Sequence, residues 1–380
     1  MVKNRNGFMN ILMNTVLSAL KDQQKEEKTF DLKDYILFTE RDGQSWSYYK
    51  RQEASDWSAE EFEFVKEAQE YKDAPPNIQR LMDGIIAFFL IGDGLIAEEI
   101  GTLLKRAIEK KNWPKFFYLS MKLKIENTHA ETYSKAALTI IPQEKHLKLF
   151  SMCKDLKCIR EKGNWIRKHI DYNGSEALEN VGCAASEGIF FVSLFAIIFY
   201  MRKLGLFDNF IESNEQISKD ETTHRDEAAD EAKRLLIRED TVDKIPWYIT
   251  QGMAKSLGYR NIKSEIPQAT QIIKEAVEIE KTHAEYLLQE PILGKQADED
   301  SGLTLENLHL YIEKLADEIC MLVDIPTIYN NKDIRLPWME DINMSQKSNF
   351  YERDVIGNYR RFDPKAKSEV VFNNPSEVSF

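Results

Sequence analysis

One segment limits the folds open to this chain more than any other. Val181 to Met201 is almost wholly apolar, yet Ser186-Glu187 sits inside it. Its length would suit a membrane span, but a bilayer would hold the Glu187 carboxylate in hydrocarbon, and no second span accompanies it. The alternative is a helix buried at the centre of a helical protein. There a carboxylate is costly unless it is paired or holds a metal ion, so Glu187 needs a partner.

Asp93 poses the same problem, lying in the apolar run Ala87-Phe88-Phe89-Leu90-Ile91-Gly92-Asp93-Gly94-Leu95-Ile96. Candidates for company come from Glu-x-x-His, which sets a carboxylate and an imidazole on one helical stripe. The pattern occurs at Glu126/His129, Glu221/His224, Glu280/His283 and Glu306/His309, in a chain with six histidines, where chance predicts fewer than one match. Tyr133, seven residues after Glu126, adds a phenol to the first stripe. Spacing alone does not rank the four pairs, but their surroundings do. Glu280/His283 lies in the charge-rich run 278–285, which reads as a solvated face, and Glu306/His309 opens a late amphipathic helix, where an acid is ordinary capping.

The remaining set is Asp93, Glu126, Glu187 and Glu221 with His129 and His224. Four carboxylates balance two divalent cations, and each imidazole adds a neutral nitrogen to one of them. A carboxylate-rich, histidine-poor set suits iron or manganese better than zinc or copper. Acids from two helices with Glu-x-x-His from two others is the arrangement of di-iron and di-manganese carboxylate bundles.

The rest of the chain reads as helix. Gly and Pro are few (16 and 11 in 380 residues), and no convincing strand pattern occurs. The capping box Ser58-Ala59-Glu60-Glu61 predicts a helix to about Lys72. Further helices are expected over 78–110, 115–141, 143–152, 154–170, 175–204, 208–236, 240–259, 265–290 and 304–324. Residues 31–57 read as irregular chain on the surface. The expected organisation is an N-terminal extension over 1–30, a helical domain over 31–330 and a flexible C-terminal tail over 331–380. A formal charge of −12 argues against a nucleic-acid binder. The four cysteines form no CxxC pair and read as reduced thiols of a cytoplasmic protein, and the start of the chain lacks the cleavage site of a signal peptide.

Across about residues 35–360 the chain resembles the small, radical-generating subunit of class I ribonucleotide reductase. The resemblance is carried by Glu53-Ala54-Ser55-Asp56-Trp57, Phe88-Phe89-Leu90-Ile91-Gly92-Asp93-Gly94, Glu126-Asn127-Thr128-His129-Ala130-Glu131-Thr132-Tyr133, Ser186-Glu187-Gly188-Ile189-Phe190-Phe191 and Ser218-Lys219-Asp220-Glu221-Thr222-Thr223-His224, in the family's order. It implies an all-α, ferritin-like bundle and a homodimer holding two iron ions per chain; the same ligands serve Mn/Mn and Mn/Fe centres. Asp93, Glu126 and His129 would hold the ion nearer the tyrosine. Glu187, Glu221 and His224 would hold the other, with Glu126 and Glu221 bridging.

By the same resemblance, Tyr133 matches the tyrosine that becomes a stable radical, shielded by Phe191, Phe195 and Ile217. Trp57 and Asp220 match the radical-transfer route, Asp220 bonding to His129, and Tyr359 matches the relay in the tail. The final residues would dock on the large subunit, which reduces ribonucleotides to deoxyribonucleotides. Two departures stand out: Lys219 occupies an arginine position, and the stretch from Asp93 to Glu126 is about two residues longer than the family's. The competing readings are another ferritin-like di-metal oxidase or oxygenase, which would not need Trp57, Asp220 or the tail, and a non-catalytic metal-binding paralogue.

Overall fold

In the computed structural model, the described residues are 43–170, 175–236, 264–331 and 333–339. Twelve α-helices fill them: α1 Gly43–Ala54, α2 Val65–Asp73, α3 Pro76–Glu109, α4 Trp113–Ile140, α5 His146–Asp155, α6 Lys157–Ile170, α7 Glu176–Ile189, α8 Val192–Tyr200, α9 Asp208–Leu235, α10 Ile266–Leu287, α11 Lys295–Asp300 and α12 Leu305–Leu322. No strand occurs among the described residues. The N-terminal extension over 1–30, the helix expected over 240–259 and the tail beyond 339 lie outside the described residues.

Two helix pairs, α3 with α4 and α7 with α9, pack most extensively and form the centre. Their starts are encoded locally. Pro76 opens α3 at a position whose N–H would be unpaired anyway. The Asn112 side chain caps α4 by accepting from the Lys115 backbone N–H at 3.2 Å, and Ser175 caps α7 through Leu178 at 3.4 Å. The start of α9 is capped from a distance. Phe207 is held in the left-handed region (φ 63°), and the free N–H of Asn209 meets Glu67 Oε1 of α2 at 2.9 Å. An acid at a helix N-terminus is favourable there, and it sets the register of the helix that carries Glu221 and His224.

The segment Glu176–Leu204 is long and apolar enough to cross a membrane, but 94% of its most apolar window is buried inside the protein. It is not one helix, as its pattern predicts. It breaks at Phe190 and Phe191, between α7 and α8. The backbone groups freed at the break are met by a buried ion pair: Lys162 Nζ donates to the Phe190 carbonyl at 2.5 Å, and the Ser193 N–H donates to Glu280 Oε1 at 2.8 Å. Lys162 and Glu280 are themselves 2.6 Å apart. A cation thus closes the C-terminus of α7 and an anion opens α8, each on the favourable end of its helix dipole.

Three further expectations need correction. Glu280 and His283 are fully buried rather than solvated; their charge-rich run hides one inward-facing stripe whose partner, Lys162, comes from α6. Residues 43–54 are helical, with Ser45, Tyr48 and Gln52 as the buried stripe. The capping box does form, Ser58 N–H donating to Glu61 Oε1 at 3.0 Å, but it opens only the short 3₁₀ turn Ala59–Glu61. Phe62 then extends, packing edge-on against Trp57, and Phe64 packs against Phe210, before α2 starts at Val65. All four cysteines are free, as the sequence leads one to expect, and all four are buried. At the C-terminal side, Trp338 is buried, its indole N–H donating to the Ala196 carbonyl at 2.8 Å.

Candidate metal centre and its tyrosine

Glu126 on α4, Glu187 on α7, and Glu221 and His224 on α9 converge so that one ligand atom from each lies within 4.8 Å of the others, all buried. His129 joins them: its Nδ1 is 3.4 Å from Glu126 Oε2 and 3.2 Å from Glu221 Oε1. His224 Nδ1 is 3.0 Å from Glu126 Oε1 and 3.1 Å from Glu221 Oε2. Each Glu-x-x-His pair therefore shares one helical stripe, and both stripes face one centre. Asp93 lies on α3; its side chain falls outside the described atoms. Tyr359 lies outside the described residues.

The imidazoles are oriented from behind. His129 turns Nε2 to Asp220 Oδ2 at 3.2 Å, and the same oxygen accepts from the Trp57 indole N–H at 2.8 Å. Trp57, Asp220 and His129 thus form one buried hydrogen-bonded chain, with the indole stacked near the imidazole at 5.9 Å. His224 turns Nε2 to the Gln52 amide at 2.6 Å. The Gln52 oxygen is otherwise buried without a partner, so turning the amide over lets it accept the Nε2–H. In both rings Nδ1 is left for the centre, and an outer acceptor fixes the tautomer, as expected of metal-bound histidines.

The donor set fits divalent metal ions. Glu126 Oε1, Glu187 Oε2 and His129 Nδ1 are buried without hydrogen bonds, a costly state for polar atoms unless a ligand takes them up. The charge balance points the same way. Burial opposes charging His129, but Asp220, Glu126 and Glu221 carry its pKa well above the ordinary value. His224, likewise opposed by burial, is pushed up to about 9, chiefly by Glu126. Burial alone would raise Glu221, and the two neighbouring histidines pull it far below the usual carboxylate range. This cluster demands cations.

A cation of the chain's own also enters. Lys122, four residues before Glu126 on α4, places Nζ 2.5 Å from Glu187 Oε1, with side chains 4% and 1% exposed. Burial works against the ammonium, but Glu187, Tyr118, Glu99 and Glu126 outweigh it and hold its pKa well above the ordinary lysine value.

Tyr133 is fully buried. Its hydroxyl donates to Asn214 Oδ1 at 2.7 Å, and its ring stacks on Phe89 at 4.1 Å and 5°, with Phe210 edge-on at 6.4 Å. Phe191 and Phe195 come one ring further out, 5.9 Å and 6.1 Å from Phe89. Ile217 is buried, with no ring of its own to register in that stack. Sequence reasoning missed Phe89, Phe210, Asn214, Gln52 and Lys122. Signals existed for several: Phe89 is four residues before Asp93, Asn214 seven before Glu221 and Lys122 four before Glu126, each on a ligand's stripe.

Fold and site together define a helical-bundle protein with a buried carboxylate–imidazole metal site. Comparison with known proteins narrows the class. A family model, "Ribonucleotide reductase, small chain", matches residues 35–335. The ribonucleoside-diphosphate reductase small chain of Spisula solidissima is 30% identical over 319 residues, 83% of this chain and 73% of that one. The small chain of Plasmodium falciparum is 29% identical over 311 residues, 82% of this chain and 79% of its own length. Among solved structures, the ribonucleotide reductase Rnr4 homodimer of Saccharomyces cerevisiae aligns with a TM-score of 0.62 at 22% identity, covering 83% of this chain and 89% of that one. The dimanganese(II)-NrdF of Streptococcus sanguinis aligns at 0.62 and 14%, covering 80% and 97%. The chain belongs to the ribonucleotide reductase small-chain family.

Proposed function

We propose that this chain is the radical-generating subunit of a ribonucleoside-diphosphate reductase. In this reading it holds two iron ions through Asp93, Glu126, His129, Glu187, Glu221 and His224, and it stores one oxidising equivalent on Tyr133. The observation that carries the reading is the continuous Trp57–Asp220–His129 chain ending on the carboxylate cluster, a route that a self-contained oxidase does not need. When bound and oxidised by O2, the two ions would supply the oxidant that removes one electron from the phenol.

The protein's own side chains govern the proton and the shielding of the ring. Tyr133 would give up its electron to the oxidised metal pair and its hydroxyl proton to a carboxylate of the ligand set. Asn214 Oδ1 aligns the O–H but, as an amide, is too weak a base to keep the proton. Phe89 and Phe210 cover the ring, and with no solvent reaching it, water and reductants are excluded from the phenoxyl. Asp220 accepts from Trp57 and His129 together and so couples the indole to the imidazole. Tyr359 and the last residues, ending at Phe380, carry the route on to the large subunit, and the working form is a cytoplasmic homodimer.

A non-catalytic metal-binding paralogue draws support from one feature, the Lys122 pairing with Glu187. Loading with Fe(II), adding oxygen and recording EPR separates the two readings. The wild type gives a tyrosyl signal, and Tyr133→Phe retains metal uptake and loses the signal. Iron uptake by the wild type without a signal moves the assignment to the paralogue, and an undiminished signal in Tyr133→Phe sinks the assignment to that residue.

A further inference from the structure

Lys122, Glu126, His129 and Tyr133 follow one another along one stripe of α4 at spacings of four, three and four. The stripe thus presents a fixed positive charge beside the carboxylate cluster. The Lys122 ammonium rests on Glu187 Oε1 at 2.5 Å, while Glu187 Oε2 has no hydrogen bond. The other two carboxylates, Glu126 and Glu221, meet only imidazole nitrogens within the cluster. One side of the centre is therefore already served by a lysine ammonium and the other only by imidazoles.

From this asymmetry we propose that Lys122 is a built-in counter-ion that makes the two metal positions unequal. The position taking Glu126 and His129 fills first and tightly, and the position taking Glu187, Glu221 and His224 fills second and weakly. The inference deepens the proposed function and rests on its reading of these residues as metal ligands.

Two physical effects act together. While Lys122 keeps Oε1, Glu187 can offer an incoming ion only Oε2, a single oxygen instead of two. The ammonium also repels a divalent ion held on the same carboxylate. In a site of low effective dielectric that repulsion corresponds to a weakening on the order of tenfold to a thousandfold. Full binding at the second position requires the lysine to swing off Glu187, so occupancy of that position and the placement of Lys122 are linked. Lys122 acts through Glu187 and is a positioning residue.

Mn(II) titration of the full chain under anaerobic conditions tests this. The free-ion EPR signal counts bound ions, calorimetry resolves the steps, and no turnover is involved. The wild type is expected to bind two Mn(II) ions per chain in separate steps, the second at least about tenfold weaker. Lys122→Gln removes the charge and tightens the second step by about tenfold or more, leaving the first step within about twofold. Lys122→Arg keeps the charge and keeps the second step weak, which separates charge from side-chain volume. Two equal steps in the wild type overturn the inference, whether or not a variant folds. So does a second step that Lys122→Gln leaves unchanged, or that Lys122→Arg tightens equally. Failure of the wild type to bind any Mn(II) or Fe(II) removes the metal-centre reading itself, a distinct result.

Discussion

Asp220 joins two functions in one oxygen, and Asp220→Asn separates them. The carboxylate is 3% exposed, and its Oδ2 accepts from Trp57 Nε1 at 2.8 Å and from His129 Nε2 at 3.2 Å. Asparagine has the same shape and can place its carbonyl oxygen where Oδ2 lies, so both hydrogen bonds survive geometrically. Their strength does not. Hydrogen bonds to a charged acceptor contribute roughly 1.5–3 kcal/mol and neutral ones about 0.5–1.5, so the two together lose on the order of 2 kcal/mol. His129 becomes a poorer donor to the centre as the anion behind it disappears. Loss of such a partner lowers metal affinity by roughly 10–100-fold.

At saturating metal the Asp220→Asn variant is therefore expected to form the tyrosyl radical, because Tyr133 and its pocket are untouched. Its turnover with the large subunit is expected to fall by more than about tenfold, a loss of about 1.4 kcal/mol or more in the coupling step. Calorimetric Mn(II) titration, EPR of the iron-loaded protein and a deoxyribonucleotide assay measure the three quantities on one preparation. Trp57→Phe is the control: it leaves the Asp220–His129 contact in place, so metal affinity stays at the wild-type value while turnover is lost. Wild-type turnover in Asp220→Asn, with the radical present, would refute the route through Trp57, Asp220 and His129.

Gln52→Leu removes the acceptor behind His224 at nearly constant volume, and calorimetry should show a weaker metal step by roughly 10–100-fold. In the metal-free protein, burial and the neighbouring Lys162 hold the His283 pKa down, from 6.5 to about 4. A depressed histidine pKa contributes stability that is complete above 6.5 and is lost as pH falls toward 4, amounting to about 3 kcal/mol. Urea unfolding across that window should show a steeper loss for the wild type than for His283→Asn, and equal slopes would remove His283 from the account. His224, raised to about 9, acts with the opposite sign: its contribution is present below 6.5 and disappears as pH rises through 9, so the two windows do not overlap.

The central part of the site was legible in the sequence because the cost of burying a carboxylate is severe. Glu187 in an apolar run required compensation, which pointed to the two Glu-x-x-His pairs; both converge on it, although its direct partner is Lys122. The positions that escaped notice share a different physics. On α1 the inward stripe is Ser45, Tyr48 and Gln52, polar enough that hydrophobic periodicity shows nothing, and only the position of His224 on a distant helix explains why Gln52 faces inward. Lys162 and Glu280 are the extreme case. Each looks like a surface charge on its own helix, and burial becomes tolerable only once they are 2.6 Å apart.

That ion pair also accounts for the break that periodicity concealed. An uninterrupted helix over 175–204 would satisfy the Phe190 carbonyl and the Ser193 N–H by itself and would leave Lys162 and Glu280 no backbone group there to bond. The broken form leaves the Phe190 carbonyl and the Ser193 N–H open, and the buried pair takes up both. The break turns the chain at Phe191, whose ring lies parallel to Phe89 at 3°, and Phe89 in turn covers Tyr133. The clamp made by Lys162 and Glu280 is thereby connected, through two aromatic rings, to the wall around the proposed radical site. A hydrophobic pattern describes which residues are buried, whereas the direction in which Phe191 faces is set by two charges from helices far away in the sequence.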